Sequence, residues 1–191
     1  MESINHRQVY FNSENISKDF INNIINFVKS NSDLQMDNGN YNFDKKEQEL
    51  SGNERKVWQM SKTNETEEFV RLILRNVKKA NELYSFDIGK ILNIFYMEYA
   101  SEDSASLEYH MDIGPYPFNQ RKLSFSLLVN DPLEYEGGQL EIWRNNNEFT
   151  LMPKDFGTIA IFPSFLPHRV TPVTKGVRKA FVGFIGGPPY K

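Results

Sequence analysis

Cysteine is missing from all 191 residues, which removes disulfide bridges, thiolate metal sites and a cysteine nucleophile at once. No apolar run approaches the roughly 18 residues that a membrane-spanning helix needs. The opening MESINHRQVYFNSEN has neither the basic stretch nor the apolar centre of a secretory leader. The expectation is a soluble, cytoplasmic protein. Excess charge is scarce too: 22 Lys and Arg against 25 Asp and Glu give a net charge of −3, so no whole-molecule field recruits nucleic acid or an anionic membrane. Histidine occurs only three times, and that scarcity makes each placement informative. What is plentiful is aromatic. Fifteen Phe and nine Tyr lie within an aromatic share of 14%, the makeup of a packed core rather than of a disordered chain.

The length suits one domain, residues 1–191, with two regions of different character. Over about 1–89 the chain reads as helical support and loop. ISKDFINNIINFVKS (16–30) sets Phe20, Ile21, Ile24, Ile25 and Val28 on one helical stripe, with Ser17 as N-cap and Asp19 in the first turn. Residues 31–56 are polar and aperiodic, a long loop with room for short strands. ETEEFVRLILRNVKKANELY (65–84) repeats Phe69, Leu72, Ile73, Val77 and Ala80 at helical spacing, acids first and lysines last. From about 90 to 188 the pattern is β: KILNIFYMEY, KLSFSLLVN, GQLEIW, GTIAIFP, HRVTPV and RKAFVGFI, separated by Pro, Gly, Asn and Asp clusters. Six such runs predict a sandwich, jelly roll or small barrel, with the two helices against one outer face of its sheet.

Within LEYHMDIGP, His110 and Asp112 stand two apart at the end of a β-type run. On a strand, residues i and i+2 share a face, so the pair can offer one ion a nitrogen and a hard oxygen. Alone, a strand cap followed by a DIGP turn explains the same residues. His168, in PSFLPHRVTP, adds a third donor from several strands downstream; His6 lies apart in the polar N-terminal stretch. Two imidazoles and one carboxylate leave part of a metal's coordination sphere open, the arrangement of non-haem Fe(II) oxygenases. One strand later comes Arg178, a fixed cation suited to gripping the far carboxylate of a dianionic chelator. The register across VTPVTKGV leaves Lys179 as a rival, and Arg178 is favoured for its bidentate geometry.

His110-x-Asp112, His168 and Arg178 together resemble the motif of the Fe(II)- and 2-oxoglutarate-dependent oxygenases, and within them the prolyl 4-hydroxylase-like, PKHD-type branch. RKLSFSLLVNDPLEYEGGQLEIW (121–143) and FPSFLPHRVTPVTKGVRKAFVGFIGGP (162–188) are similar to that branch almost throughout, and NERKVWQM and ANELYSFDI to its N-terminal half. The resemblance implies a double-stranded β-helix, a jelly-roll, cupin-like fold that is mainly β with flanking helices. It implies Fe(II) held by His110, Asp112 and His168, and 2-oxoglutarate held by Arg178. Tyr99 occupies the place from which relatives reach 2-oxoglutarate; packing beside Phe95 and Met97 is its alternative role. ASEDSASLEY, between Tyr99 and His110, is longer than the Gly-containing turn usual there. Arg55 matches a recurring arginine of the branch.

The activity so implied is dioxygenase hydroxylation of an unactivated C–H bond, with 2-oxoglutarate decarboxylated to succinate and CO2 and with ascorbate a candidate reductant. A prolyl or other side chain of a protein or peptide is the first expectation for substrate. Small molecules, including free amino acids, and nucleic acid are the alternatives, and no membrane partner is expected. A non-catalytic cupin-like binding module is the competing class. A structural metal is ordinarily enclosed by four protein ligands, often cysteines, and the three donors visible here favour catalysis.

Overall fold

The computed structural model describes residues 9–37, 55–144 and 148–190. His6 and most of the polar 31–56 stretch lie outside them. Twelve strands and two α-helices are described: β1 (Tyr10–Ser13), α1 (Lys18–Ser30), β2 (Leu34–Asp37), β3 (Arg55–Gln59), α2 (Glu67–Tyr84), β4 (Ile91–Ala100), β5 (Leu107–His110), β6 (Arg121–Leu128), β7 (Tyr135–Gly137), β8 (Leu140–Trp143), β9 (Phe149–Leu151), β10 (Thr158–Pro163), β11 (His168–Val170) and β12 (Val173–Gly186). They form an eight-stranded sheet in the order β1-β10-β6-β12-β4-β3-β2, with β7 also paired to β12, and a four-stranded sheet β5-β11-β8-β9. All pairings are antiparallel. This is a jelly roll, one of the three architectures that the strand pattern predicts and the one that the resemblance implies.

Alternation along the central strands divides the interior in two. Leu123, Phe125 and Leu127 of β6, with Ile94 and Tyr96 of β4 and Phe181 of β12, meet Ile21, Ile24, Phe69, Ile73 and Val77 of the two helices in one apolar cluster. The Phe69 and Phe181 rings lie 4.5 Å apart. Both helices follow from their sequence. Ser17 caps α1 by accepting from the Phe20 N–H, and the apolar stripes read from the sequence are the buried faces. The opposite sheet face, with Met97, Tyr99, Leu128, Ala160, Phe162 and Ala180, packs against Leu140, Ile142 and Val170 of the smaller sheet.

Three features depart from the simple reading. The first 89 residues supply strands as well as helices, since β1, β2 and β3 extend the large sheet at both edges. HRVTPV is not one strand: β11 stops at Val170, before Thr171 and Pro172, and β12 begins at Val173 and runs for 14 residues. Pro172 has no N–H for a ladder. Residues 131–138, within one of the clusters that separate the β-type runs, hold a 3-10 turn capped by Asp131 and the short β7. Glu136 there pairs with Lys175 at the surface, 3.0 Å away. Gly137 and Gly138, between β7 and β8, both have positive φ (72° and 57°).

Candidate active site

β5 and β11 lie side by side with His110 and His168 as direct register partners, which sets the two rings 4.2 Å apart. Asp112 falls just beyond the end of β5, so it does not reach the pair by strand alternation alone. Its N–H donates to the Ser164 carbonyl (2.9 Å), and Arg121 donates to its carbonyl (3.1 Å). These bonds turn the carboxylate inward, to 3.5 Å from His110 Nε2 and 3.3 Å from His168 Nε2. Ligand atoms from all three residues lie within 4.8 Å of one another, and among the described residues this is the one such group of His, Asp and Glu.

The electrostatics of the cluster call for a cation. His110 Nδ1 lies 2.8 Å from the Glu108 carbonyl, and His168 Nδ1 lies 2.8 Å from the Leu166 carbonyl. A carbonyl oxygen only accepts, so each Nδ1 carries a hydrogen, and Nε2 is the ring atom that each imidazole turns toward Asp112. Burial alone would raise the Asp112 pKa; the His168 charge and hydrogen bonds from both imidazoles outweigh it, and the carboxyl is held well below the usual range. Burial pulls His168 down, whereas the Asp112 charge and hydrogen bond and the Leu166 carbonyl push it up and prevail. Two imidazole nitrogens and a carboxylate with fixed outer hydrogen bonds suit a divalent transition metal.

The cluster borders a cavity of about 520 Å³. Arg178 also lines it, 1% exposed, with Nε and Nη1 lacking any hydrogen-bond partner. Burial lowers its pKa against the opposing influence of Tyr99 and Tyr135. A buried guanidinium with free donors fits an incoming carboxylate. Arg178 and Tyr99 are register partners on β12 and β4, so their side chains share a face, the guanidinium 5.2 Å from the Tyr99 ring. Tyr99 lines the cavity together with Phe95 and Met97, and its hydroxyl lies 3.6 Å from Met97 Sδ. Both roles read for Tyr99 are therefore compatible with its position. Lys179 is not part of the lining; it pairs in register with Glu98 on the alternate face, and its N–H donates to Asn130 (2.9 Å).

Arg55, buried at 3%, lines the cavity beyond Tyr99. Trp58 packs in the core against Tyr96, whereas Trp143 stands at the surface. Sequence reasoning missed Ser164 and the role of Arg121, whose guanidinium stacks 3.6 Å from the Phe184 ring centre. Ser124 and Ser126 of β6 both face the cavity. The alternation with Leu123, Phe125 and Leu127 was the available signal.

The model of the 2OG-Fe(II) oxygenase superfamily matches residues 94–186. A PKHD-type hydroxylase of Hyphomonas neptunium is 47% identical over 64 residues, 33% of this chain and 28% of that protein. Another, of Gloeothece citriformis, is 35% identical over 98 residues, 50% of this chain and 43% of that protein. The chain thus spans less than half the length of either relative. Among solved structures, a prolyl hydroxylase of Trichoplax adhaerens, in complex with a hypoxia inducible factor oxygen degradation domain peptide fragment, superposes with a TM-score of 0.71 at 15% identity, covering 96% of this chain and 85% of that one. With the jelly roll and the His-Asp-His cluster in place, the family model and the relatives carry the assignment for the part they match: residues 94–186 belong to the 2OG-Fe(II) oxygenase superfamily and are similar to its PKHD-type hydroxylases.

Proposed function

We propose that the protein is an Fe(II)- and 2-oxoglutarate-dependent hydroxylase in which His110, Asp112 and His168 hold the iron and Arg178, with Tyr99, holds the far carboxylate of 2-oxoglutarate. One observation carries this reading: three convergent donors and a buried, unpartnered guanidinium face the same cavity. When bound, Fe(II) and 2-oxoglutarate supply oxygen activation, with loss of CO2 and formation of succinate. The chain supplies geometry. The Nδ1–H bonds to Glu108 and Leu166 fix which imidazole nitrogen faces the ion. Asp112 contributes negative charge between the two rings. Phe95, Phe162, Val182 and Phe184 form an apolar wall that limits water.

A prolyl or other side chain of a protein or peptide is the first substrate class in this proposal, supported by the peptide seen with the Trichoplax adhaerens neighbour. The test has two parts. Anaerobic addition of Fe(II) and 2-oxoglutarate is expected to produce a weak visible charge-transfer band, and a succinate-release screen across peptides, amino acids and nucleotides is expected to single out one class. Alanine at His110, Asp112 or His168 is expected to abolish succinate release; turnover like the unaltered protein's in any of the three overturns the assignment.

A further inference from the structure

The Asp112 carboxylate has a partner outside the triad. Ser124 Oγ stands 2.6 Å from its Oδ2, and Ser164 Oγ stands 2.9 Å from Ser124 Oγ. Both serines are completely buried. A carboxylate can only accept, so the single Ser124 hydrogen is committed to Asp112, and Ser124 must accept from Ser164. The order of donation is therefore fixed: Ser164 to Ser124 to Asp112.

The same Ser164 also receives the Asp112 N–H at its own carbonyl (2.9 Å), while its N–H donates to Lys122 (3.0 Å). One residue at the end of β10 thus restrains the aspartate's backbone and, through Ser124 of β6, the rotation of its carboxyl plane. Oδ2 takes this short, charge-assisted bond and also lies 3.3 Å from His168 Nε2, whereas Oδ1, 3.5 Å from His110 Nε2, is the oxygen left without a hydroxyl partner among the described residues.

We propose that Ser124 is a positioning residue for the candidate metal centre, oriented by Ser164, and that it holds the Asp112 carboxylate in the one rotation that presents Oδ1 to a divalent cation. This rests on reading the triad as a metal site. Groups one step outside a metal's ligands commonly alter affinity by roughly 10–100-fold, and the Ser124 end of the bond is fully buried.

The experiment uses the full chain and Mn²⁺, following the EPR signal of the free ion. S124A is expected to weaken Mn²⁺ binding by roughly 10–100-fold with near-UV circular dichroism unchanged. S124T keeps the hydroxyl and is expected to bind near wild-type affinity. S164A, which leaves the bond to Asp112 but frees its direction, is expected to lose affinity to a lesser degree, and it carries the test should S124A not fold. Wild-type affinity in S124A, or in S164A where S124A does not fold, overturns the proposal, as does S124T as weak as S124A. Asp112→Ala separates the two levels. If it leaves Mn²⁺ affinity intact, the metal reading itself fails; if it abolishes binding while S124A changes nothing, only the serine proposal fails.

Discussion

Arg178 and Lys179 are adjacent cations, and the backbone decides between them. The antiparallel register opposes Arg178 to Tyr99 and Lys179 to Glu98, so the guanidinium enters the cavity and the ammonium does not. Two free guanidinium donors on a carboxylate are worth roughly 1.5–3 kcal/mol each. Arg178→Ala is therefore expected to raise the 2-oxoglutarate concentration needed for half-maximal succinate release by roughly tenfold or more, with Mn²⁺ affinity retained; Lys179→Ala should leave it unchanged. An unchanged requirement in the Arg178 variant transfers the role elsewhere. Gly138 bears on the same contact. A Cβ there would sit 2.9 Å from Arg178 Cδ and 3.0 Å from Val173 Cγ2, at a φ of +57°. Gly138→Ala is expected to displace the guanidinium and mimic part of the Arg178→Ala effect, read by the same titration.

The helices are held by packing rather than by their own propensity. Phe69 of α2 is fully buried beside Phe181 of the central strand β12, so Phe69→Ala is expected to destabilise the fold by about 3–5 kcal/mol, measured by urea unfolding. If the helix stabilises the site only through the sheet, the folded fraction should keep its Mn²⁺ affinity. These helices were legible in the sequence because an apolar stripe at a period of 3.6 is a local signal. β6, β10 and the RKAFVGFI part of β12 were legible because short β-type runs bounded by turn residues are local signals too. β7, β9 and the boundary between β11 and β12 were not, because three residues are too few to show a period and β7 and β11 also owe their pairing to partners distant in the chain. The candidate site divides along that line. His110, Asp112, His168 and Arg178 could be named from residue types and a family pattern, whereas Ser164, the stacked Arg121 and the inward face of Ser124 emerge only once β6, β10 and β12 are laid in register.

At the scale of the whole molecule, two sheets close around the cavity, and the candidate ligands join them. His110 and His168 belong to the smaller sheet, while Asp112 is tied to the larger one through Ser124 and Ser164. A cation bound by all three bridges the sheets and stabilises the folded state alone. At a free concentration about 100 times its dissociation constant it contributes about 2.7 kcal/mol, which for a protein of this size is a rise of roughly 5–10 °C in Tm. Thermal scans with and without Mn²⁺ should show that rise, and Asp112→Ala should remove it. No helix among the described residues is long and apolar enough to cross a membrane.

The face-to-face placement of His110 and His168 makes the candidate centre a reporter of strand alignment. β5 has four residues and β11 three, with a bulge between His168 and Val170, so few ladder bonds fix that alignment. Slipping either strand by one residue would swing its imidazole to the outer surface. Insertions are therefore cheap in the turns between the strands of the span from 113 to 163, such as the one joining β9 to β10, whereas an insertion inside β6, β8 or β10 or a single deletion inside Leu107–His110 is costly. Divergence in chain length should gather in the first region and be shunned in the second.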